Sequence, residues 1–151
     1  MTDEAGLQRC GLGIRGVSIA IDSVVWFGLF VVGTTAVAAA TGQLETTVNG
    51  ANADLEGTAG TAAFGLWLAL GIGYHTLLEW QFGKTLGKYL VGIKAVNDDG
   101  SPLSLGSSVV RNVLRLVDFL PVFYLVGIVS LVFSDANQRL GDRFGGTVVV
   151  R

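Results

Sequence analysis

Residues 83–96 read GKTLGKYLVGIKAV and lie between two long apolar stretches of the chain. Three lysines and three glycines occur in these fourteen residues, and the second half is rich in β-branched side chains. Positive charge accumulates on the cytoplasmic side of membrane helices, and β-branched residues favour strands. The stretch therefore predicts a cytoplasmic collar, residues 83–96, that follows a membrane helix and continues into a strand.

The composition of the chain is typical of a membrane protein. Half of its 151 residues are hydrophobic and only 15% are charged, whereas about 25% of residues are charged in an average soluble domain. A soluble chain of this length could not bury so much apolar surface, and the length predicts a single domain, residues 1–151. There is no basic face with aromatic stacking residues, so we expect no nucleic acid partner. One cysteine, Cys10, excludes an internal disulfide.

Two apolar stretches, residues 16–40 and 61–82, are long enough to cross a bilayer as helices, because about 20 residues suffice. The segment between them, residues 41–60, carries acidic residues but no lysine or arginine. Basic residues instead precede the first stretch and follow the second. The charge distribution therefore predicts a multi-pass protein of the cell membrane whose N-terminus is cytoplasmic and whose segment 41–60 is external.

A third apolar region, residues 109–134, would place the C-terminal arginines outside if it crossed the membrane once. Pro121 offers a different arrangement, because proline breaks a helix interior. We expect one helix at 104–120, with Ser104 as its N-cap, and a second helix at 122–134. Together they leave the cytoplasmic side and return to it, so that the C-terminus is also cytoplasmic. The short second helix leaves open whether this hairpin spans the membrane or is re-entrant.

The chain ends in GTVVVR, residues 146–151, a sequence typical of a short strand. A lone strand is not stable, and its natural partner is the strand-like sequence at 89–96 of the collar. The predicted fold class is therefore an all-α membrane protein. It has two transmembrane helices and a proline-broken helical hairpin, four helices in total, with a small cytoplasmic β pairing of residues 89–96 and 146–151.

Charged side chains inside the first apolar stretch are candidates for function, because a charge within a bilayer is costly. Arg15, Ser18 and Asp22 are spaced three and four residues apart and share one helix face. Arg15 and Asp22 are about 10 Å apart along the helix axis, so each needs a partner from elsewhere in the chain. Two interpretations stay open for Asp22: a buried ion pair that locks helices together, and a cation or proton site.

Arg111, Arg115 and Asp118 form a second polar face, with spacings of four and three residues. They are candidates for the partners that Arg15 and Asp22 lack, and Arg115 and Asp118 also have the spacing of a local pair. The alternative is an amphipathic helix at the membrane interface whose basic side chains extend toward water.

His75 and Glu79 have the i, i+4 spacing of two metal ligands, but two ligands make an incomplete zinc site and we expect no metal. A proton relay is one hypothesis for the pair, and an interfacial helix-end charge is the alternative for Glu79. Lys84 and Lys88 lack the spacing and the preceding strand of a phosphate-binding loop, so we expect them to face anionic lipid headgroups. No nucleophile and base occur together, so we expect no catalytic residues, no cofactor and no enzyme activity.

These residues resemble the RDD family of membrane proteins over residues 9–150. The resemblance is carried by Arg15 and Asp22 in the first helix, by Glu79 with residues 83–88 and 92–94, by Arg111, and by residues 138–142 and 146–149 at the end of the chain. Asp142 and Asp118 are the two candidates for the family's second Asp. Many members carry glutamine at the position of Lys84 and histidine at the position of Gly141, so a role for that histidine does not transfer to this chain.

The resemblance implies transport, since the family is suspected of it and some members are linked to sodium–proton antiport. We therefore predict a small cation/proton transporter or transporter subunit. In it Asp22 exchanges a proton for sodium or another monovalent cation, and arginines set the pKa of this carboxylate. One protomer is too thin to enclose a path, so we expect a homo-oligomer or a partner membrane subunit. Small residues suit such an interface, namely Gly28, Gly33, Gly71 and Gly73. The alternative is a non-transporting scaffold or assembly module in which arginines and aspartates form structural ion pairs.

Overall fold

The computed structural model describes residues 8–119 and 140–151 of the chain. The described elements are, in order, α1 (Leu12–Thr41), β1 (Leu44–Thr47), β2 (Gly50–Ala53), α2 (Thr58–Phe82), α3 (Leu86–Leu90), β3 (Lys94–Asn97), α4 (Leu105–Phe119), α5 (Leu140–Phe144) and β4 (Thr147–Val150). They belong to two compact units. The first unit comprises Met1–Asp22 and Tyr74–Arg151, and the second comprises Ser23–Gly73.

Helices α1 and α2 contain segments that are long and apolar enough to cross a membrane, Gly13–Thr41 and Thr58–Phe82. The core helix of a soluble protein would be mostly buried, but only 17% and 22% of the most apolar windows of these helices are buried within the chain. Large apolar side chains are exposed instead, and Val24, for example, is 72% exposed. The structure thus has two candidate membrane-spanning helices, and each begins a few residues before the stretches predicted at 16–40 and 61–82.

Aromatic packing between α1 and α2 holds the second unit together. The ring of Trp67 meets those of Trp26 and Phe30 edge-on, with centroids 5.5 Å apart in both pairs. Gly71 lies so close to the ring of Trp26 that a Cβ atom there would come within 2.7 Å of it. A Cβ atom at Gly33 would lie 3.8 Å from the backbone nitrogen of Trp67. Gly71 and Gly33 therefore pack inside the chain, and the oligomer contact expected at Gly28, Gly33, Gly71 and Gly73 stays a prediction.

The segment predicted as an external loop, residues 41–60, contains a β-hairpin that the sequence analysis missed. Strands β1 and β2 pair antiparallel, with Leu44 opposite Ala53 and Thr47 opposite Gly50. Both strands are mostly exposed, so no apolar alternation marks them in the sequence. The available signal is the Asn-Gly dipeptide at 49–50, which is typical of hairpins.

The collar forms a short helix before its strand begins. The N-cap of α3 is Thr85, whose side chain accepts a hydrogen bond from the backbone N–H of Lys88. After α3, Gly92 adopts a φ of 71°, a conformation that favours glycine, and β3 follows. The strand predicted at 89–96 therefore begins only at Lys94, because the capped helix occupies the first residues of that range.

Strands β3 and β4 pair antiparallel, with Lys94 opposite Val150 and Asn97 opposite Thr147. This is the β pairing that the sequence predicted between the middle and the end of the chain. All four residues of β4 are buried. The end of the chain is therefore fixed against the collar by both backbone hydrogen bonds and apolar burial.

The N-terminal segment also joins this sheet, which the sequence analysis did not predict. Arg9 forms a bridge to Val150, and the backbone N–H of Cys10 donates to the carbonyl oxygen of Val149 at 3.0 Å. Cys10, Ile93 and Val149 form a buried apolar cluster. The beginning, middle and end of the described chain thus meet in one small sheet.

Helix α4 begins where the sequence predicted. The backbone N–H of Ser107 donates to Oγ of Ser104 at 3.0 Å, so Ser104 is the N-cap. Helix α4 occupies most of the predicted range 104–120. Pro121 and the helix predicted at 122–134 lie outside the described residues.

Candidate functional site

A small cavity in the first unit brings together most of the charged residues singled out from the sequence. Its volume is about 20 Å³, which is room for about one water molecule or small ion. Four cationic and two acidic side chains line it with smaller or apolar neighbours: Arg15, Ser18, Ile19, Asp22, Lys88, Ile93, Arg111, Arg115, Asp142 and Val149. Helices α1, α3, α4 and α5 each contribute at least one charged side chain to this cavity.

Asp22 is 4% exposed, and neutral donors hold its carboxylate. Oδ1 accepts hydrogen bonds from the hydroxyl of Tyr74 and the backbone N–H of Gly87, both at 2.9 Å. Oδ2 accepts from the hydroxyl of Thr85 at 2.6 Å. These contacts join α1 to α2 and to the start of α3. Within residues 8–119 and 140–151, Asp22 forms no ion pair, so a contacting cation does not cancel its negative charge.

Gly87 allows the collar to approach α1 this closely. A Cβ atom at Gly87 would lie 2.9 Å from Cγ of Asp22 and closer still to the backbone carbonyl oxygen of Ser18. A real Cβ atom does not fit at these distances. Only glycine therefore allows the backbone N–H of this turn to reach the carboxylate.

Glu79 is fully buried and faces three cations. Its Oε1 pairs with Nζ of Lys88 and lies 4.0 Å from Nη2 of Arg115. Its Oε2 lies 3.0 Å from Nε of Arg111 and accepts a hydrogen bond from Nδ2 of Asn112 at 3.2 Å. A buried carboxylate is stable only when it is paired and hydrogen-bonded. Glu79 meets both conditions, with more positive charge around it than its own charge can balance.

Asp142 is the partner that Arg15 needs. Nη2 of Arg15 pairs with Oδ2 of Asp142, and Nη1 of Arg111 lies 3.1 Å from Oδ1. Arg111 therefore bridges Asp142 and Glu79. Burial alone would raise the pKa of Asp142, but Arg111 and Arg15 outweigh burial and hold this pKa below its ordinary range. Arg15 thus has a partner on α5, far from its own helix in the sequence.

Arg115 contacts both members of the predicted relay pair, His75 and Glu79. His75 is 1% exposed, and Nη1 of Arg115 lies 2.7 Å from its Nε2. The same Nη1 lies 2.8 Å from Nδ1. A guanidinium can only donate, so the ring nitrogen that carries no proton is the acceptor. The ring of Tyr74 meets the imidazole edge-on at 4.9 Å. Arg115 therefore links the imidazole to the carboxylate network.

The comparison with known families covers this whole site. A family model described as the RDD family matches residues 9–146, a range that includes every charged residue of the cavity. The chain belongs to the RDD family. RDD proteins are membrane proteins, in agreement with the two apolar helices. No curated protein and no solved structure matches the chain.

Two aspartates are candidates for the second Asp of the RDD pattern. Asp142 lies in the cavity and contacts Arg15 and Arg111. The side chain of Asp118 lies outside the part of the chain that the structure describes. Asp142 therefore has the contacts with arginine that a paired RDD aspartate would need.

Lys88 does not face lipid headgroups, so that expectation is wrong. It is 5% exposed, and its ammonium group pairs with Glu79. The reason is the helical turn that begins at Thr85, which directs Lys88 toward the helices instead of toward the surface. Lys84 is only partly buried, with Nζ 6.0 Å from the ring centre of Tyr89. Its contact with headgroups stays a prediction.

The stability of the folded protein should depend on pH through the charge of Lys88. Burial, followed by Arg111, lowers the pKa of Lys88 from 10.5 to about 7. Below pH 7 both the folded and the unfolded chain hold this proton, and the cost of the buried charge is fully present. Between about 7 and 10.5 only the unfolded chain holds the proton, so stability rises with pH. We expect a higher thermal unfolding midpoint at pH 9 than at pH 6.5, in detergent.

Lys88→Met is the matched variant for this experiment. Without the amine, the rise in the unfolding midpoint between pH 6.5 and pH 9 should disappear. If the native protein shows no rise, or the variant keeps it, then Lys88 does not titrate in the folded protein in this range.

Several neutral residues of the site were not found by sequence analysis. They are Tyr74, Thr85 and Gly87 around Asp22, Asn112 beside Glu79, and Thr147, whose hydroxyl accepts from Nη1 of Arg111 at 3.1 Å. The analysis searched for charge within apolar sequence, and these residues carry none. Among the described residues, no three His, Cys, Asp or Glu side chains come together to hold a metal ion.

Proposed function

We propose that this RDD protein is a small cation/proton transporter, or a transporter subunit, in which Asp22 binds a monovalent cation such as sodium. One observation carries the proposal. Asp22 lies in a helix of membrane-spanning length, faces a cavity of about 20 Å³ and is held by neutral donors. A charged residue in such a helix marks a functional site by default.

The other two buried acids lack this property. Glu79 and Asp142 contact lysine or arginine directly, so their charge is already balanced. A cation at either one would displace a guanidinium or an ammonium group. A cation at Asp22 displaces only neutral donors, namely two hydroxyls and one backbone N–H, and oxygen atoms are the ligands that hard cations prefer.

The sheet supports the proposed membrane topology. Residues 8–10 and strands β3 and β4 belong to one sheet, so they lie on one side of the membrane. The hairpin predicted at 104–134 agrees with this arrangement, because it enters the membrane and returns on the same side. The charge distribution favours the cytoplasm for this side, which places both termini there in a multi-pass protein of the cell membrane.

Asp22→Asn is a sharp test because the amide can keep the local geometry. Tyr74 and Gly87 both donate to Oδ1, which asparagine retains. The hydroxyl of Thr85 can rotate to accept from the new Nδ2. The variant therefore removes the charge of Asp22 and preserves its three hydrogen bonds. We expect it to fold with a thermal unfolding midpoint within a few degrees of the native one.

The measurement is proton flux in proteoliposomes under an imposed sodium gradient. The native protein should show sodium-driven proton flux, and Asp22→Asn should lose at least about 90% of it, because no carboxylate remains to bind the cation. Asp54→Asn, an exposed acid in the segment 41–60, is the matched control and should transport like the native protein. Absence of flux in the native protein, or full flux in a folded Asp22→Asn protein, would contradict the proposal.

A second candidate function is a non-transporting membrane scaffold or assembly module. The observation in its favour is that the buried ion pairs of Arg15, Arg111, Lys88, Glu79 and Asp142 join α1, α2, α3, α4 and α5. A scaffold requires these pairs for rigidity and needs no exchange of ions at Asp22. Native proteoliposomes without flux, together with a large loss of stability when one of these pairs is broken in Glu79→Gln, would favour this function.

A further inference from the structure

Helix α4 turns its polar side chains inward. Between Leu105 and Val113 its buried side chains are polar, namely Ser108, Arg111 and Asn112. The exposed side chains of the same stretch are aliphatic: Leu105, Val109, Val110 and Val113. A surface helix of a soluble protein has the reverse arrangement, with its apolar stripe toward the core and its polar face toward water. The four exposed side chains, the outward face of α4, therefore suit an apolar surrounding.

Hydrogen bonds place α4 beside the last turns of α2. Oγ of Ser108 donates to the carbonyl oxygen of Thr76 at 2.9 Å, and Nδ2 of Asn112 donates to Oε2 of Glu79 at 3.2 Å. Thr76 and Glu79 belong to the candidate membrane span Thr58–Phe82. Glu79 lies three residues before the end of this span, about 4.5 Å along the helix axis. Helix α4 is therefore level with sequence that is apolar enough to lie in a membrane.

Exposed apolar side chains occur at the same level on α2 itself. Leu77 and Trp80 follow Thr76 and Glu79 directly in the sequence, and both are exposed. Because they belong to a candidate membrane span, the surrounding of their side chains is acyl chains rather than water. The outward face of α4 lies at the depth of these two residues, so the same surrounding reaches it.

Helix α3 has the same arrangement against α1. Its buried residues are Gly87 and Lys88, and the backbone N–H of Gly87 reaches Asp22 within the candidate span Gly13–Thr41. The exposed side chains of α3 are spaced three and four residues apart, so they share one face. This outward face of α3 consists of Leu86, Tyr89 and Leu90.

The chemistry of the two outward faces favours acyl chains over a second copy of the chain. Helices that pack together in membranes use small residues and hydrogen-bonding side chains at their contacts. The outward face of α4 consists of Leu and Val, with Gly106 as the one small residue exposed beside them. On α3 the polar group is the hydroxyl of Tyr89, a residue type enriched where acyl chains meet headgroups.

We propose that α3 and α4 are immersed in the membrane beside α1 and α2, and that their outward faces bind the acyl chains of the surrounding lipid. The central part of the collar is then a lipid-contacting element rather than a cytoplasmic one. A helix is suited to this position because it satisfies its own backbone hydrogen bonds. The inference rests on the membrane location of the protein and not on transport.

The two helices then separate the charged cavity from the lipid. On their inward sides, Lys88 of α3 and Arg111 of α4 line the cavity and pair with Glu79. On their outward sides they present apolar side chains alone, apart from the hydroxyl of Tyr89. Each helix thus provides charge to the site and an apolar surface to the membrane.

The experiment measures the surroundings of spin labels on the two outward faces. Cys10 is the one cysteine of the sequence, so Cys10→Ala provides a cysteine-free background for single labels at Val109→Cys on α4 and Leu90→Cys on α3. The protein is reconstituted into vesicles of phosphatidylcholine and phosphatidylglycerol. Electron paramagnetic resonance then compares collisions of the label with oxygen, which concentrates among acyl chains, and with a nickel chelate, which stays in water.

Both labels should collide more often with oxygen than with the nickel chelate. Val24→Cys, at an exposed position of α1, is the control for lipid and should behave alike. Val48→Cys, at the fully exposed turn between β1 and β2, is the control for water and should favour the nickel chelate. The three positions other than Val48 thus form one group if the inference holds.

Three outcomes would overturn the inference. More frequent collisions with the nickel chelate at Val109→Cys or Leu90→Cys would show that water covers that face. Few collisions with either reagent, together with magnetic broadening between labels, would show that a second copy of the chain covers it. Few collisions without such broadening would show that another part of the same chain covers it.

Discussion

Replacing Gly87 with alanine is expected to destabilise the protein and to separate α3 from α1. A Cβ atom at this position would lie 2.9 Å from Oδ2 of Asp22 and closer still to the carbonyl oxygen of Ser18. Backbone atoms on both sides of this contact cannot move independently of their helices. Overpacking of this kind costs about 1–3 kcal/mol, occasionally more. The lost hydrogen bond from Gly87 to a buried carboxylate adds to that cost.

The direction of the stability change in Gly87→Ala distinguishes steric overpacking from helix propensity. Helix propensity alone would make alanine at Gly87 stabilising by about 0.5–1 kcal/mol, because Gly87 lies within α3. Gly16→Ala is the matched control, since its Cβ position on α1 has no atom within 4 Å. Thermal unfolding in detergent should show a lower midpoint for Gly87→Ala and an equal or higher one for Gly16→Ala. A Gly87→Ala protein as stable as the native one would show that α3 does not dock on α1 in this way.

The charged residues of this site could be predicted from the sequence. A charge inside an apolar helix stands out against its neighbours, so Asp22 and Glu79 are visible without a structure. The spacing of Arg15 and Asp22 also excluded a direct pair between them. It did not identify Asp142 as the partner of Arg15, because the two residues are 127 positions apart in the chain.

The uncharged residues of the site do not stand out in the sequence in this way. Thr85 caps α3 and Tyr74 lies within α2, and neither marks a site until α1 brings Asp22 within hydrogen-bond distance. The residues at 89–96 have strand propensity, but the Thr85 cap starts a helix that extends to Leu90. Here a local hydrogen bond outweighs propensity, which is a weak preference that context overrides. The inward direction of Lys88 follows from this helix.

Glu79→Gln is expected to be the most destabilising conservative change in the described chain. Glutamine keeps the size of the side chain and its hydrogen bond from Asn112. It removes the one negative charge that Lys88, Arg111 and Arg115 share. Breaking a buried pair by removing one partner costs about 3–5 kcal/mol, because the remaining charge is left uncompensated. Unfolding by heat in detergent measures the effect, with the exposed Glu45→Gln as a control that should change little.

A second substitution tests whether Lys88 is the positive charge that is left without a counterion in Glu79→Gln. Lys88→Met by itself should be near neutral or stabilising, since Glu79 retains both arginines. In the Glu79→Gln background, Lys88→Met should recover a large part of the lost stability, because it removes a positive charge that has no counterion. The two changes should therefore be strongly non-additive in a double-mutant cycle. Simple additivity would show that Lys88 and Glu79 do not interact in the folded protein.

High pH should reproduce this recovery without the second substitution. In Glu79→Gln, the carboxylate that favours the ammonium form of Lys88 is gone, while burial and the arginines still oppose that form. The pKa of Lys88 then falls below its native value of about 7. The variant therefore begins to gain stability at a lower pH than the native protein does, and so its destabilisation should shrink from pH 6 to pH 9. Lys88→Met in the same background should be insensitive to that change. Removing the charge of Lys88 by substitution and removing it by high pH should thus have the same effect on stability. A scaffold of fixed ion pairs would not show the pH effect, since none of its groups changes charge in that range.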